Sequence, residues 1–147
     1  MSNADVPPAS DEVTYKVMTV ESVTFDLGDA SPHAHLMEAE MPYRFLSIPI
    51  ALPEAQALHN ALFALAGRRP GTHELMSTLL ARLSSDVIAA RIVRCEDGVY
   101  YGELDVMTPR GRERFDCRTS DALILALRQS VPAPVLCAED VLEGTSP

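Results

Sequence analysis

The clearest fold signal in this chain is the stretch at residues 86–127, DVIAARIVRCEDGVYYGELDVMTPRGRERFDCRTSDALILAL. Its first three quarters are rich in β-branched and aromatic residues and are broken by two turn signals, EDG at 96–98 and TPRG at 108–111. These breaks predict a meander of three antiparallel strands, over 86–95, 99–107 and 113–117. The apolar run that follows predicts a buried helix over 121–129, capped by Ser120.

Upstream of this stretch the pattern predicts more strands and two further helices. A period near two indicates a long strand or a strand pair over 13–25, and shorter runs indicate strands at 35–39 and 43–50. Helical spacing of apolar residues predicts one helix from Leu52 to a stop at Gly67, and a second over 72–83, capped by Thr72; both are expected to pack on a sheet. The order of elements favours an α+β fold with a largely antiparallel sheet and three main helices.

Length and composition indicate one folded domain. The chain has 147 residues, of which 47% are hydrophobic. Proline, small residues and acids predict a disordered tail over 1–12, a domain over 13–143 and a second tail over 144–147. The N-terminus shows no export signal and no apolar run is long enough to span a membrane. Three cysteines without a CxxC pair favour a reducing, cytoplasmic compartment.

The formal net charge of −9 argues against sequence-blind binding to duplex nucleic acid. The acidity is uneven, however. Residues 1–41 hold eight acids and one base, whereas residues 68–128 hold nine acids and ten arginines. Because distant charges are screened over about 8–10 Å, an anion site within 68–128 remains open.

Two helix starts share a pattern that suits a phosphate. Each has an arginine, a hydroxyl and an acid, in RPGTHE at 69–74 and RTSD at 118–121. Free N–H groups at a helix start together with a guanidinium favour phosphate oxygens, and a nearby carboxylate suits a divalent metal. The alternative is that Thr72 and Ser120 only cap their helices and that Glu74 and Asp121 only complement the helix dipoles.

His73 is the histidine best placed to act as a general base, because it follows Arg69 at a helix start. Asp116 and Asp121 bracket Arg118, a combination that phosphodiester hydrolysis uses for metal binding and charge stabilisation. An internal network of salt bridges would have the same composition.

Three segments of this sequence resemble the bifunctional nuclease family. They are IPIA at 48–51 followed by Glu54, RPGTHEL at 69–75, and DCRTSDALILALR at 116–128. The resemblance extends from about Val13 to Leu142.

The resemblance implies a compact α+β domain, with a repeated strand–helix–strand unit, and cleavage of both DNA and RNA. Most members of the family are bacterial. The chain departs from the family pattern at four positions. One of them is Thr119, where the pattern has proline, and the loss of that proline would leave the turn before the helix less rigid. The family pattern falls on Arg69, Thr72, His73, Asp116, Arg118, Ser120, Asp121 and Arg128.

Two functions stay open from the sequence. The first is a nuclease in which a divalent metal such as magnesium, held by Asp116, Asp121 or Glu74, polarises the phosphate while His73 activates water. Its phosphate ligands would be Arg69, Thr72, Arg118, Ser120 and Arg128. The second is a non-enzymatic binding or regulatory module for a nucleotide, a phosphorylated metabolite or a protein partner. A homodimer is also expected, because the hydrophobic strands near the N-terminus leave either an exposed edge or an apolar face.

Overall fold

The protein is seen in a computed structural model that describes residues 12–25 and 31–144. The two predicted tails therefore lie almost entirely outside the described residues. Within the described residues, seven strands form one sheet. Five of its six neighbouring strand pairs are antiparallel and one pair is parallel. The predicted α+β fold with a largely antiparallel sheet is confirmed.

Along the chain, runs of strands are followed by helices. The elements are β1 (Tyr15–Thr24), β2 (His33–Glu38), β3 (Phe45–Pro49), α1 (Leu52–Leu62), α2 (Thr72–Arg82), β4 (Asp86–Glu96), β5 (Val99–Thr108), β6 (Gly111–Arg118), α3 (Thr119–Leu127), β7 (Val135–Ala138) and α4 (Glu139–Glu143). The strand order across the sheet is β3-β2-β1-β7-β4-β5-β6, and its parallel pair is β4 and β7.

The element order contains an internal repeat of three antiparallel strands followed by a helix. The first unit is β1-β2-β3-α1 and the second is β4-β5-β6-α3, with β7 inserted between β1 and β4 in the sheet. The repeat therefore holds more strands than the strand–helix–strand unit that the resemblance implies. Because α1 and α3 each follow the edge strand of their unit, the starts of these two helices are equivalent positions.

Helix boundaries differ from the sequence prediction at several ends, and α3 ends at Leu127 rather than at residue 129. Helix α1 ends at Leu62 and not at Gly67, because Ala64 takes a left-handed conformation with φ of 51°. The expected hydroxyl caps are wrong as well. Helix α2 begins at Thr72 itself, so Gly71 is its N-cap, and α3 begins one residue before Ser120.

Helix α3 is the centre of the core. Its residues 122–126 are all buried, which confirms the prediction from the apolar run. The start of α3 lies so close to β5 that a Cβ on Gly102 would stand 2.8 Å from Cα of Thr119. Thr119 Oγ1 also donates a hydrogen bond to the carbonyl of Tyr100 at 3.1 Å. The helix start is therefore held firmly although Thr119 replaces the proline of the family pattern.

The prediction that helix α2 packs on the sheet is wrong. None of its residues is buried, and its main neighbour is α3. A cleft of about 730 Å³ separates α2 from β5 and β6, and we call it the α2 cleft. Its apolar wall is formed by Met76, Leu80, Leu104, Val106, Phe115 and Leu125. In the part of the chain that the structure describes, no helix is long and apolar enough to cross a membrane.

Candidate active site

The starts of α2 and α3 meet at the mouth of the α2 cleft. His73, in the first turn of α2, donates from Nε2 to Oδ1 of Asp121 at 2.8 Å. A carboxylate accepts hydrogen bonds, so this contact puts the proton of a neutral His73 on Nε2 and leaves Nδ1 as an acceptor. The side chain of His73 is 13% exposed and lines the cleft. The pair has the arrangement of a base and the carboxylate that orients it.

Arg118 holds the other side of the Asp121 carboxylate. Its Nε donates to Oδ2 at 2.8 Å and one terminal nitrogen donates to Oδ1 at 3.1 Å. The second terminal nitrogen lies 3.0 Å from Oε1 of Glu54, in the first turn of α1. These contacts use three of the five guanidinium N–H groups. The Arg118 side chain is 63% exposed, so the remaining donors are accessible to a ligand.

The electrostatic surroundings keep Asp121 ionised. Partial burial raises the pKa of its carboxyl, but the hydrogen bonds from Arg118 and His73 lower it, and the net pKa lies below the ordinary value. Cys117, on the same wall, behaves in the opposite way. Burial, together with the nearby charges of Asp121 and Asp116, raises the pKa of its thiol to about 11. The Cys117 thiol is therefore protonated at neutral pH and is a poor nucleophile.

The other residues predicted for the site lie at different distances from this pair. Asp116 is exposed and lines the α2 cleft, as does Thr72. Ser120 is buried and lines a neighbouring cavity. Arg69 is exposed on the loop before α2 and lines neither of these cavities.

Glu74 and Arg128 lie beside a small cavity of about 90 Å³ at the start of α2. Arg128 donates to the carbonyl of Leu65 at 2.8 Å and lies 4.0 Å from Glu74. Glu74 in turn accepts from the N–H of Gly71 at 3.4 Å. Both side chains thus tie the α1–α2 loop to the start of α2, next to His73.

The carboxylates predicted to hold a divalent metal do not form a closed protein cage. Within residues 12–25 and 31–144, no three His, Cys, Asp or Glu side chains are grouped so that they would hold a metal. Both Asp121 oxygens accept from Arg118 and His73, whereas Asp116 is exposed on the wall of the α2 cleft. Mg²⁺ in proteins is usually held by one or two carboxylates together with waters and substrate phosphates.

Sequence reasoning missed the role of Glu54, which it read as part of a helix start. The internal repeat contains the signal that would have found it. Glu54 is the third residue of α1 and Asp121 is the third residue of α3, and both carboxylates bind Arg118. The IPIA segment of the resemblance leads directly into this position.

Comparisons with known proteins identify the family of this chain. The model of the bifunctional nuclease domain family matches residues 35–146, about three quarters of the chain. Two curated relatives, the uncharacterized proteins MT1877 and Rv1829 from two strains of Mycobacterium tuberculosis, are each 34% identical over 89 residues. The match covers 60% of this chain and 52% of each relative, so the chain spans about half the length of the relatives it matches. On the family match, which contains every residue of the His73–Asp121–Arg118–Glu54 cluster, the chain belongs to the bifunctional nuclease domain family.

Proposed function

We propose that this protein hydrolyses phosphodiester bonds of DNA and RNA in the α2 cleft. The observation that carries the proposal is the hydrogen bond between His73 and Asp121 at 2.8 Å, beside the accessible guanidinium of Arg118. A base, an orienting carboxylate and a cation for phosphoryl charge are the groups that such a reaction needs. The family membership agrees with it.

In the proposed mechanism, Nδ1 of His73 takes a proton from a water molecule while Asp121 stabilises the imidazolium through Nε2. The water oxygen bonds to phosphorus, the ester P–O bond breaks, and the leaving oxygen takes a proton from solvent. Arg118 binds the non-bridging oxygens with its remaining donors. The step uses only side chains of this chain, and the chelator experiment tests whether a divalent metal such as magnesium at Asp116 and Asp121 also takes part.

The test is cleavage of fluorescent single-stranded DNA and RNA by wild type and by His73→Ala, in buffer with and without chelator. We expect the variant to lose about 10²-fold or more, the usual contribution of a general base, and chelator to leave the wild-type rate unchanged. His33→Ala is the matched control, because the His33 ring donates to the carbonyl of Ser31, stacks beside His35 and does not line the three cavities named at the site. Equal rates for wild type and His73→Ala would remove His73 from the mechanism.

The second candidate function is a non-enzymatic binding module for a nucleotide or a phosphorylated metabolite. Its support is that the guanidinium of Arg118 is already paired with the carboxylates of Asp121 and Glu54. A site whose positive charge is neutralised in this way binds a long polyanion weakly. Titrating a single-stranded oligonucleotide at rising salt separates the two candidates. A steep loss of affinity with salt supports the nuclease, and no measurable affinity supports the module.

We also propose a homodimer, in a cytoplasmic setting that the three free cysteines favour. Three exposed leucines follow one another at one-turn spacing along α2, Leu75 and Leu79 in the helix and Leu83 directly after it. The neighbouring strand β6 is an edge of the sheet. Antiparallel pairing of two β6 strands about Phe115 would place the position of Arg114 in each copy opposite that of Asp116 in the other, and these charges are complementary.

Light scattering after gel filtration tests the dimer. We expect wild type to have twice the chain mass of 16.0 kDa, and Leu79→Glu to shift toward the monomer because it places a charge in the apolar face. Val131→Glu is the matched control, since Val131 is exposed on the loop after α3. A monomeric wild type would contradict the proposal.

A further inference from the structure

Arg118 lies on the wall between two cavities. One is the α2 cleft, and the other, of about 350 Å³, we call the β3 cavity because the end of β3 forms one side of it. Arg118 and Glu54 line both cavities. The ion pair between them, at 3.0 Å, is thus the boundary that a ligand occupying both cavities must cross.

Both cavities have apolar walls away from this boundary. The α2 cleft is walled by side chains such as Leu80 and Leu104, and the β3 cavity by Ile50, Val99 and Tyr100. Their volumes, about 730 and 350 Å³, are in the usual range for sites that enclose a small organic group. Charged groups gather where the two cavities meet.

We propose that the two cavities hold two successive nucleotides of a single strand, one base in each, with the linking phosphodiester on Arg118. The inference rests on the proposed function and gives its substrate class. Flat bases suit apolar cavities, and an anionic linker suits a guanidinium that keeps unused donors. Paired bases in a duplex are stacked and cannot enter cavities on either side of the phosphate, so single strands are the substrate.

The bond between Glu54 and Arg118 sets the affinity of this phosphate subsite. The carboxylate of Glu54 occupies a guanidinium donor and repels the incoming phosphate. Glu54→Gln therefore tightens binding of the linking phosphate, an outcome that a purely structural salt bridge does not produce. This variant needs no added volume in the core and keeps the hydrogen-bonding shape of the side chain.

The experiment is calorimetric titration of the full chain with a dinucleoside monophosphate that has a phosphorothioate linkage. A mononucleoside monophosphate and a dinucleoside with a neutral methylphosphonate linkage are the comparison probes. We expect the dinucleotide to bind about tenfold more tightly than either, the factor that corresponds to ~1.4 kcal/mol from one more buried base or from the lost charge. Glu54→Gln raises dinucleotide affinity several-fold.

Two variants each place a bulkier side chain in one cavity and report on the subsites separately. Leu80→Trp narrows the α2 cleft and Val99→Trp narrows the β3 cavity. Each should reduce dinucleotide affinity to that of the mononucleotide. Equal affinity of wild type for dinucleotide and mononucleotide, or no effect of Glu54→Gln, overturns the two-subsite proposal even if either tryptophan variant fails to fold.

Binding is measured here apart from cleavage, so the two proposals fail differently. A preference for the dinucleotide without any cleavage would support the two subsites and contradict the proposed nuclease activity. Cleavage of oligonucleotides without dinucleotide preference would contradict only the subsites.

Discussion

Two carboxylates in this protein are each held by two basic side chains, with opposite consequences. Asp105, on β5, binds Arg91 and Arg112, and its side chain is completely buried. Asp121, at the start of α3, binds Arg118 and His73, and 23% of its side chain is exposed. Both side chains are carboxylates paired with basic groups, but of the two only Asp121 lines one of the cavities described above.

The position on the sheet explains the difference. Asp105 alternates along β5 with Leu104 and Val106, which line the α2 cleft, so its side chain lies on the opposite face of the sheet. There the two arginines close over it. Asp121 instead lies at a helix start, where the chain turns from β6 and leaves Arg118 open to solvent. Accessibility, rather than the presence of an ion pair, distinguishes the candidate site from a structural network.

The largest expected effect is on stability, from Asp105→Asn. Removing the charge leaves Arg91, which is 8% exposed, without its buried counter-ion. Breaking a buried pair in this way costs about 3–5 kcal/mol. Urea unfolding followed by circular dichroism measures the free energy of unfolding. A loss below about 1 kcal/mol would show that the Asp105 network is not a closed structural pair.

Acid should weaken the same network by a smaller amount. The hydrogen bond from Arg112, with help from Arg91, lowers the pKa of Asp105 from 3.8 to about 2, although burial opposes the shift. Because the pKa is lower in the folded state, the stabilisation is present above pH 4 and is lost as the pH falls toward 2. The shift corresponds to about 2 kcal/mol. Carboxyl NMR should show Asp105 titrating near pH 2, and a midpoint near 3.8 would contradict the closed network.

The smallest expected effect is the change in stability of Asp121→Asn. Its partner Arg118 is largely exposed, and ion pairs of exposed groups contribute about 1 kcal/mol or less. The same urea unfolding experiment measures it beside Asp105→Asn. A loss as large as that of Asp105→Asn would place both carboxylates in the same structural class.

Local patterns in the sequence were sufficient for much of the fold. The turn residues at 96–98 and 108–111 predict the β4-β5-β6 meander, and the apolar run predicts the burial of α3. The prediction that α2 packs on the sheet was wrong. The helical spacing of its apolar residues shows that one face is apolar, but not whether the sheet lies close enough to cover that face.

The site was less accessible to sequence reasoning because its groups are distant in the chain. The two helix starts predicted that His73, Arg118 and Asp121 act together. Which of these groups bind each other, however, depends on how the whole sheet twists. Glu54 comes from a third segment, and its contact with Arg118 requires the β3 and β6 ends to meet. No local pattern reports that distance.

The assignment of the α2 cleft as the active site is tested by cleavage of a single-stranded oligonucleotide by Asp121→Asn, in chelated buffer and at matched folded concentration. An amide there no longer stabilises the imidazolium of His73, so we expect the rate to fall by on the order of 10²–10⁴-fold with stability nearly unchanged. A variant that cleaves as fast as wild type would contradict the assignment of the α2 cleft as the active site.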